Sequence, residues 1–88
     1  MEYRVTQRTI GGTERLEIFC DLDMAIAAFI DGTVSAQTAR MDLEKRAAEG
    51  EDWQGMTLRE TADAIRSGNW ITPEMRQRMR TKEWQGWL

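Results

Sequence analysis

Residues 35–50 read SAQTARMDLEKRAAEG, and the fold turns on how they are placed. Ser35 stands where a helix N-cap belongs and Gly50 where a helix stops. Between them Ala36, Ala39, Leu43 and Ala47 make an inward stripe, with Met41 directed the other way. This spacing predicts a helix over 35–49. Its small inward residues imply close approach to a neighbouring element.

Upstream, YRVTQRTIGGTERLEIFC (residues 3–20) reads as a β-hairpin over 2–20. A two-residue Gly11-Gly12 loop allows positive φ at both turn positions, as a type I′ turn requires. Folding there sets Ile10 opposite Thr13, Gln7 opposite Leu16, Val5 opposite Ile18 and Tyr3 opposite Cys20. One face then carries Tyr3, Val5, Leu16, Ile18 and Cys20. The other carries Arg4, Thr6, Arg8, Arg15 and Glu17, and Phe19 falls among these charges as the one misfit. A lone hairpin is marginal in water, so helices are expected to cover its apolar face.

Three more helices are expected. Asp21 caps a segment over 22–31 with Leu22, Ala25, Ile26 and Phe29 on one stripe, Met24, Ala28 and Ile30 widening it, and Gly32 as the stop. Thr57-x-x-Glu60 is a capping box opening a helix over 58–67, with Leu58, Thr61, Ala62 and Ile65 as its buried stripe and Gly68 as its end. Arg59 and Asp63 are i, i+4 partners on its outside. Thr72 and Pro73 start a helix over 73–84. The expected fold class is therefore α+β: one domain over 1–88, an N-terminal hairpin packed on a small bundle of about four short helices.

Eighty-eight residues, 41% hydrophobic and 31% charged, suit a single small globular domain. The longest apolar run, MAIAAFI at 24–30, is too short to span a membrane, so no membrane partner is expected. The N-terminus alternates polar and apolar residues and does not read as a signal peptide. One cysteine cannot form an internal disulfide, which makes a cytoplasmic location the default expectation.

Catalytic and metal chemistry find little here. The chain has no histidine, so the usual general base is missing. The hairpin register directs Cys20 to the apolar face, as a buried structural thiol. Asp21 and Asp23 are accounted for by helix capping. Glu49, Glu51 and Asp52 form an acidic turn without EF-hand spacing. No enzyme activity, metal or organic cofactor is expected.

Charge is unevenly spread. Residues 1–63 hold 13 acids and 7 bases, whereas residues 64–88 hold 2 acids and 5 bases. Arg76, Arg78, Arg80 and Lys82 lie on the last expected helix, and the segment from Leu58 has the general look of helix, turn, helix. Its connection, GNWIT, is long for a DNA-reading motif. Direct nucleic-acid binding by a small transcriptional regulator is thus the alternative reading, opposed by the acidic remainder of the chain. The sequence WQG occurs at 53–55 and again at 84–86, and Trp84 and Trp87 close the chain. On a straight helix Trp84 cannot continue the stripe of Met75 and Met79. Trp84 and Trp87, flanked by Arg76 and Arg80, are therefore candidate anchors for a protein partner or a second copy of the chain; folding back onto the core is the other option.

The hairpin YRVTQRTIGGTERLEIF, the short capped helices, the acidic balance and the lack of a cofactor motif together resemble the small phage-encoded anti-CRISPR proteins. The resemblance is one of type over the whole chain. It implies a non-enzymatic inhibitor that occludes a protein or nucleoprotein complex, such as a CRISPR–Cas effector, with acidic surface standing in for DNA phosphates. Asp42, Glu44, Glu49, Glu51 and Asp52 are the acids it nominates.

Overall fold

The computed structural model describes residues 1–74, in the order β1 (Glu2–Thr9), β2 (Glu14–Phe19), α1 (Leu22–Thr33), β3 (Thr38–Arg46), β4 (Gln54–Gly55) and α2 (Leu58–Ser67). The segment expected as a helix over 35–49 is instead strand β3. The α+β class stands, but the bundle of about four helices does not. Among the described residues there are two helices and a four-stranded antiparallel sheet ordered β2-β1-β3-β4. Pro73 and Glu74 are helical; the rest of the helix expected over 73–84, with Arg76, Arg80, Trp84 and Trp87, lies outside the described residues.

The physical reason for the strand is a partner distant in sequence. Arg40, Asp42, Glu44 and Arg46 alternate with Met41, Leu43 and Lys45, and β3 lies antiparallel to β1 along its whole length. Arg4 then meets Glu44 and Glu2 meets Arg46 across the strands, at 2.7 and 2.8 Å. Odd positions of β3 turn inward, where Leu43 is buried. Helix propensities differ by only ~0.7 kcal/mol per residue among ordinary side chains. Pairing and burial outweigh that preference.

The hairpin forms, but one residue out of the expected register. Its loop is three residues, Ile10 to Gly12, closed by the Thr9 N–H donating to the Thr13 carbonyl at 2.9 Å. Gly12 alone takes a positive φ, 88°, the signature of a type I turn with a glycine bulge rather than a two-residue I′ turn. Val5 consequently faces Glu17, Thr6 faces Leu16, and Tyr3 faces Phe19. A one-residue slip exchanges faces along a whole strand. Phe19, the misfit above, joins Tyr3 and Val5 on the inner face. Leu16 and Ile18 move to the outer face, where they are 51% and 47% exposed. Cys20 leaves the apolar face and is exposed, not buried.

α1 covers the inner face. The Asp21 carboxylate accepts from the Asp23 N–H at 2.8 Å, as expected of a cap. Ala25, Ile26 and Ile30 are buried with Val5, Leu43 and Trp70; complete burial of each isoleucine contributes about 1.5–3 kcal/mol. Gly32 is not the helix stop, since α1 runs on to Thr33. Its role is space: a Cβ there would come 2.5 Å from Met41 Cε. α2 keeps its capping box and its αL glycine, Gly68 at φ 70°. Leu58, however, is 90% exposed and is not core, and Asp63 pairs with Arg66 rather than Arg59. Trp70 closes the far end of the core, its indole N–H donating to the Ile65 carbonyl at 2.8 Å.

Candidate partner-binding surface

Among the described residues both helices, α1 and α2, sit on the same side of the sheet. Lys45, on the inner face of β3, pairs with Glu60 of α2, which places α2 beside α1. Cross-strand register builds the opposite face from Glu14, Leu16 and Ile18 of β2, Glu2, Arg4, Thr6 and Arg8 of β1, and Arg40, Asp42, Glu44 and Arg46 of β3. Those side chains form a ladder of opposite charges: Arg4 with Glu44, Arg46 with Glu2, Arg8 with Glu14 and Arg40 with Asp42.

Trp53, just before β4, lies against this ladder. The Arg4 guanidinium carbon is 4.7 Å from the centre of a Trp53 ring and that of Arg46 is 4.2 Å away. Each such contact is worth about 0.5–1 kcal/mol at exposed sites. Both arginines are also tied to carboxylates: Arg4 Nε and Nη2 donate to Glu44 Oε1, and Arg46 Nε donates to Glu2 Oε1. The indole thereby lies against two guanidinium groups whose charges are already balanced. Sequence reading gave Trp53 no role. The first WQG was its only signal, and the arginines that hold it come from strands whose pairing could not be seen.

The acids nominated by the resemblance divide into two groups. Asp42 and Glu44 lie on the outer face of β3 and are engaged by Arg40 and Arg4. Glu49, Glu51 and Asp52 are exposed in the loop joining β3 to β4, where Gly50 takes φ 90°. Among the described residues these three take part in no ion pair. They lie beside Trp53, at the same end of the sheet. The candidate anchors Trp84 and Trp87, with Arg76 and Arg80, are not among the described residues.

Among the described residues no group of three or more His, Cys, Asp and Glu side chains is placed to hold a metal, and no helix is long and apolar enough to cross a membrane. One carboxyl has a displaced titration: the hydrogen bond from Lys45 holds Glu60 below its ordinary range, helped by the Thr57 N–H and hydroxyl and opposed by partial desolvation. This is a brace between α2 and the sheet. Comparison with protein-family models, with curated proteins and with solved structures found no match.

Proposed function

We propose that this protein is a non-enzymatic inhibitor that binds a macromolecular partner through the sheet face opposite α1 and α2 and the adjoining β3–β4 loop. The partner presents a basic surface of the kind that ordinarily receives nucleic acid. The observation that carries this reading is the separation of charges. Asp42 and Glu44 are neutralised within the sheet, whereas Glu49, Glu51 and Asp52 stand exposed beside it without ion pairs among the described residues. Exposed acids of this kind steer a basic partner at long range and suit it at contact. Trp53, held by Arg4 and Arg46, offers a rigid edge next to them. The most specific form of the proposal is an anti-CRISPR-type inhibitor that occupies the nucleic-acid groove of a CRISPR–Cas effector complex.

The experiment is a pulldown and competition assay of the full chain against purified nucleoprotein defence effectors, with a salt titration. The wild type should be retained, should compete with target DNA, and should weaken as salt rises. Glu49→Lys, Glu51→Lys and Asp52→Lys combined should abolish competition while leaving the fold intact. A wild-type chain that shifts DNA in a gel, and leaves effectors untouched, would replace this reading with the DNA-binding regulator built on the basic segment from Pro73.

A further inference from the structure

The strands carry eleven charged side chains, and nine of them are in ion pairs. The two exceptions among the described residues are neighbours on one strand: Arg15 and Glu17 of β2. They are also the only two whose inward-facing positions lie on the outermost strand of the sheet. The same strand carries the exposed Leu16 and Ile18 on its outer face.

β2 is an edge strand whose inward charges, Arg15 and Glu17, admit a partner strand only where opposite charges meet them. It has no proline, and its register with β1 runs without a shift; such edges invite a further strand. The side of β2 that pairs with no described strand follows from the turn. Thr9 bonds to Thr13, so by antiparallel alternation Arg15, Glu17 and Phe19 exchange bonds with β1. Glu14, Leu16 and Ile18 then direct their N–H and C=O groups outward.

We infer that β2 pairs antiparallel with β2 of a second copy, around a two-fold axis at Leu16, joining the two sheets into one of eight strands. Charge selects this register. Leu16 opposes its own symmetry mate, Arg15 opposes the second copy's Glu17, and Glu17 opposes the second copy's Arg15. Shifting the pairing by two residues either way sets Glu17 against Glu17 or Arg15 against Arg15, which is destabilising. Odd shifts would match outer side chains with inner ones. In the selected register the outward backbone groups of Glu14, Leu16 and Ile18 are satisfied. Half-exposed Leu16 meets its own mate on the outer face, with Ile18 of each copy diagonal to the other's Leu16 and opposite its Glu14. The interface is isologous, as a closed dimer requires. It uses the opposite edge of the sheet from the acidic loop, so it stands or falls separately from the proposed function.

The test is sedimentation of the full chain with charge reversals. The wild type should sediment as a dimer. Arg15→Glu and Glu17→Arg should each weaken dimerisation about tenfold or more, because each places two like-charged pairs across the axis. The double reversal should restore it, and far-UV circular dichroism should show all variants folded. In a Cys20→Ser background, Leu16→Cys should oxidise to a linked dimer, since hydrogen-bonded pairs lie about 5.5 Å apart at Cα, within disulfide reach. Arg15→Cys should not, being offset from its mate. A wild type that stays monomeric at all attainable concentrations, reversals that leave dimerisation unmoved, or a double reversal that fails to restore it would each overturn the inference.

Discussion

Segments 38–46 and 58–67 are made of much the same residues and fold differently. TARMDLEKR is strand β3; LRETADAIRS is helix α2. Both are rich in long charged side chains, which favour helix. α2 is closed at both ends by local chemistry: Thr57 Oγ1 accepts from the Glu60 N–H at 3.1 Å, and Gly68 ends the last turn. β3 has no such start. Ser35 Oγ accepts only a weak bond from the Gln37 N–H at 3.3 Å, in the turn before the strand. What β3 has instead is β1, whose Arg4 and Glu2 meet Glu44 and Arg46 across the pair. Local signals decide a segment where no distant partner competes for it.

The largest expected effect separates two leucines that sequence alone treats alike. Leu43→Ala removes a side chain that is 8% exposed at the sheet–helix junction and should cost about 2–4 kcal/mol in urea unfolding. Leu58→Ala, at the exposed start of α2, should change stability by less than about 0.5 kcal/mol. Equal costs would mean that both segments bury their leucines as helices do. Next in size is the cap. Thr57→Ala should cost about 1 kcal/mol, whereas Ser35→Ala should cost much less, because Ser35 starts no helix. Thermal unfolding of the two variants, side by side, reads this difference.

The legible parts of the fold are those with local grammar. The cap at Asp21, the capping box at Thr57 and the glycine at Gly68 all stand where expected. The glycine pair at 11–12 marked the hairpin, but its register depended on whether the loop held two residues or three. That one residue decided the faces of Leu16, Ile18, Phe19 and Cys20. The site followed the same division. Glu49, Glu51 and Asp52 were readable as an exposed turn because charges crowd around a glycine. The neutralisation of Asp42 and Glu44 was not readable, since Glu44 meets an arginine forty residues away in sequence. Trp53 needed both β1 and β3 in place before its arginines could be found.

A smaller effect joins the two segments through pH. Glu60 of α2 is held below its ordinary value of 4.5 chiefly by Lys45 of β3. The unfolded chain therefore binds this proton more readily than the folded one. The stabilisation is fully present above the ordinary value and is lost as pH falls through the lowered one. Thermal stability should drop more steeply as pH falls below 4.5 in the wild type than in Glu60→Gln. Parallel curves would detach α2 from β3. The smallest effect belongs to the loop between them: replacing Glu49, Glu51 and Asp52 with Lys should shift stability by under about 0.5 kcal/mol, since exposed charges without close partners contribute little. A larger loss on thermal unfolding would show that the loop braces the sheet.

Everything proposed for this molecule depends on a sheet with β1 flanked by β2 and β3 in the registers described, and with α1 and α2 on one face. Proton NMR measures that arrangement directly, because α-protons of non-hydrogen-bonded antiparallel pairs lie close together. Alpha-proton contacts are expected between Val5 and Leu43 and between Gln7 and Met41 on one side, and between Arg4 and Ile18 and between Thr6 and Leu16 on the other. Helical i, i+3 contacts running through residues 38–46, or a hairpin with Val5 opposite Ile18, would contradict it.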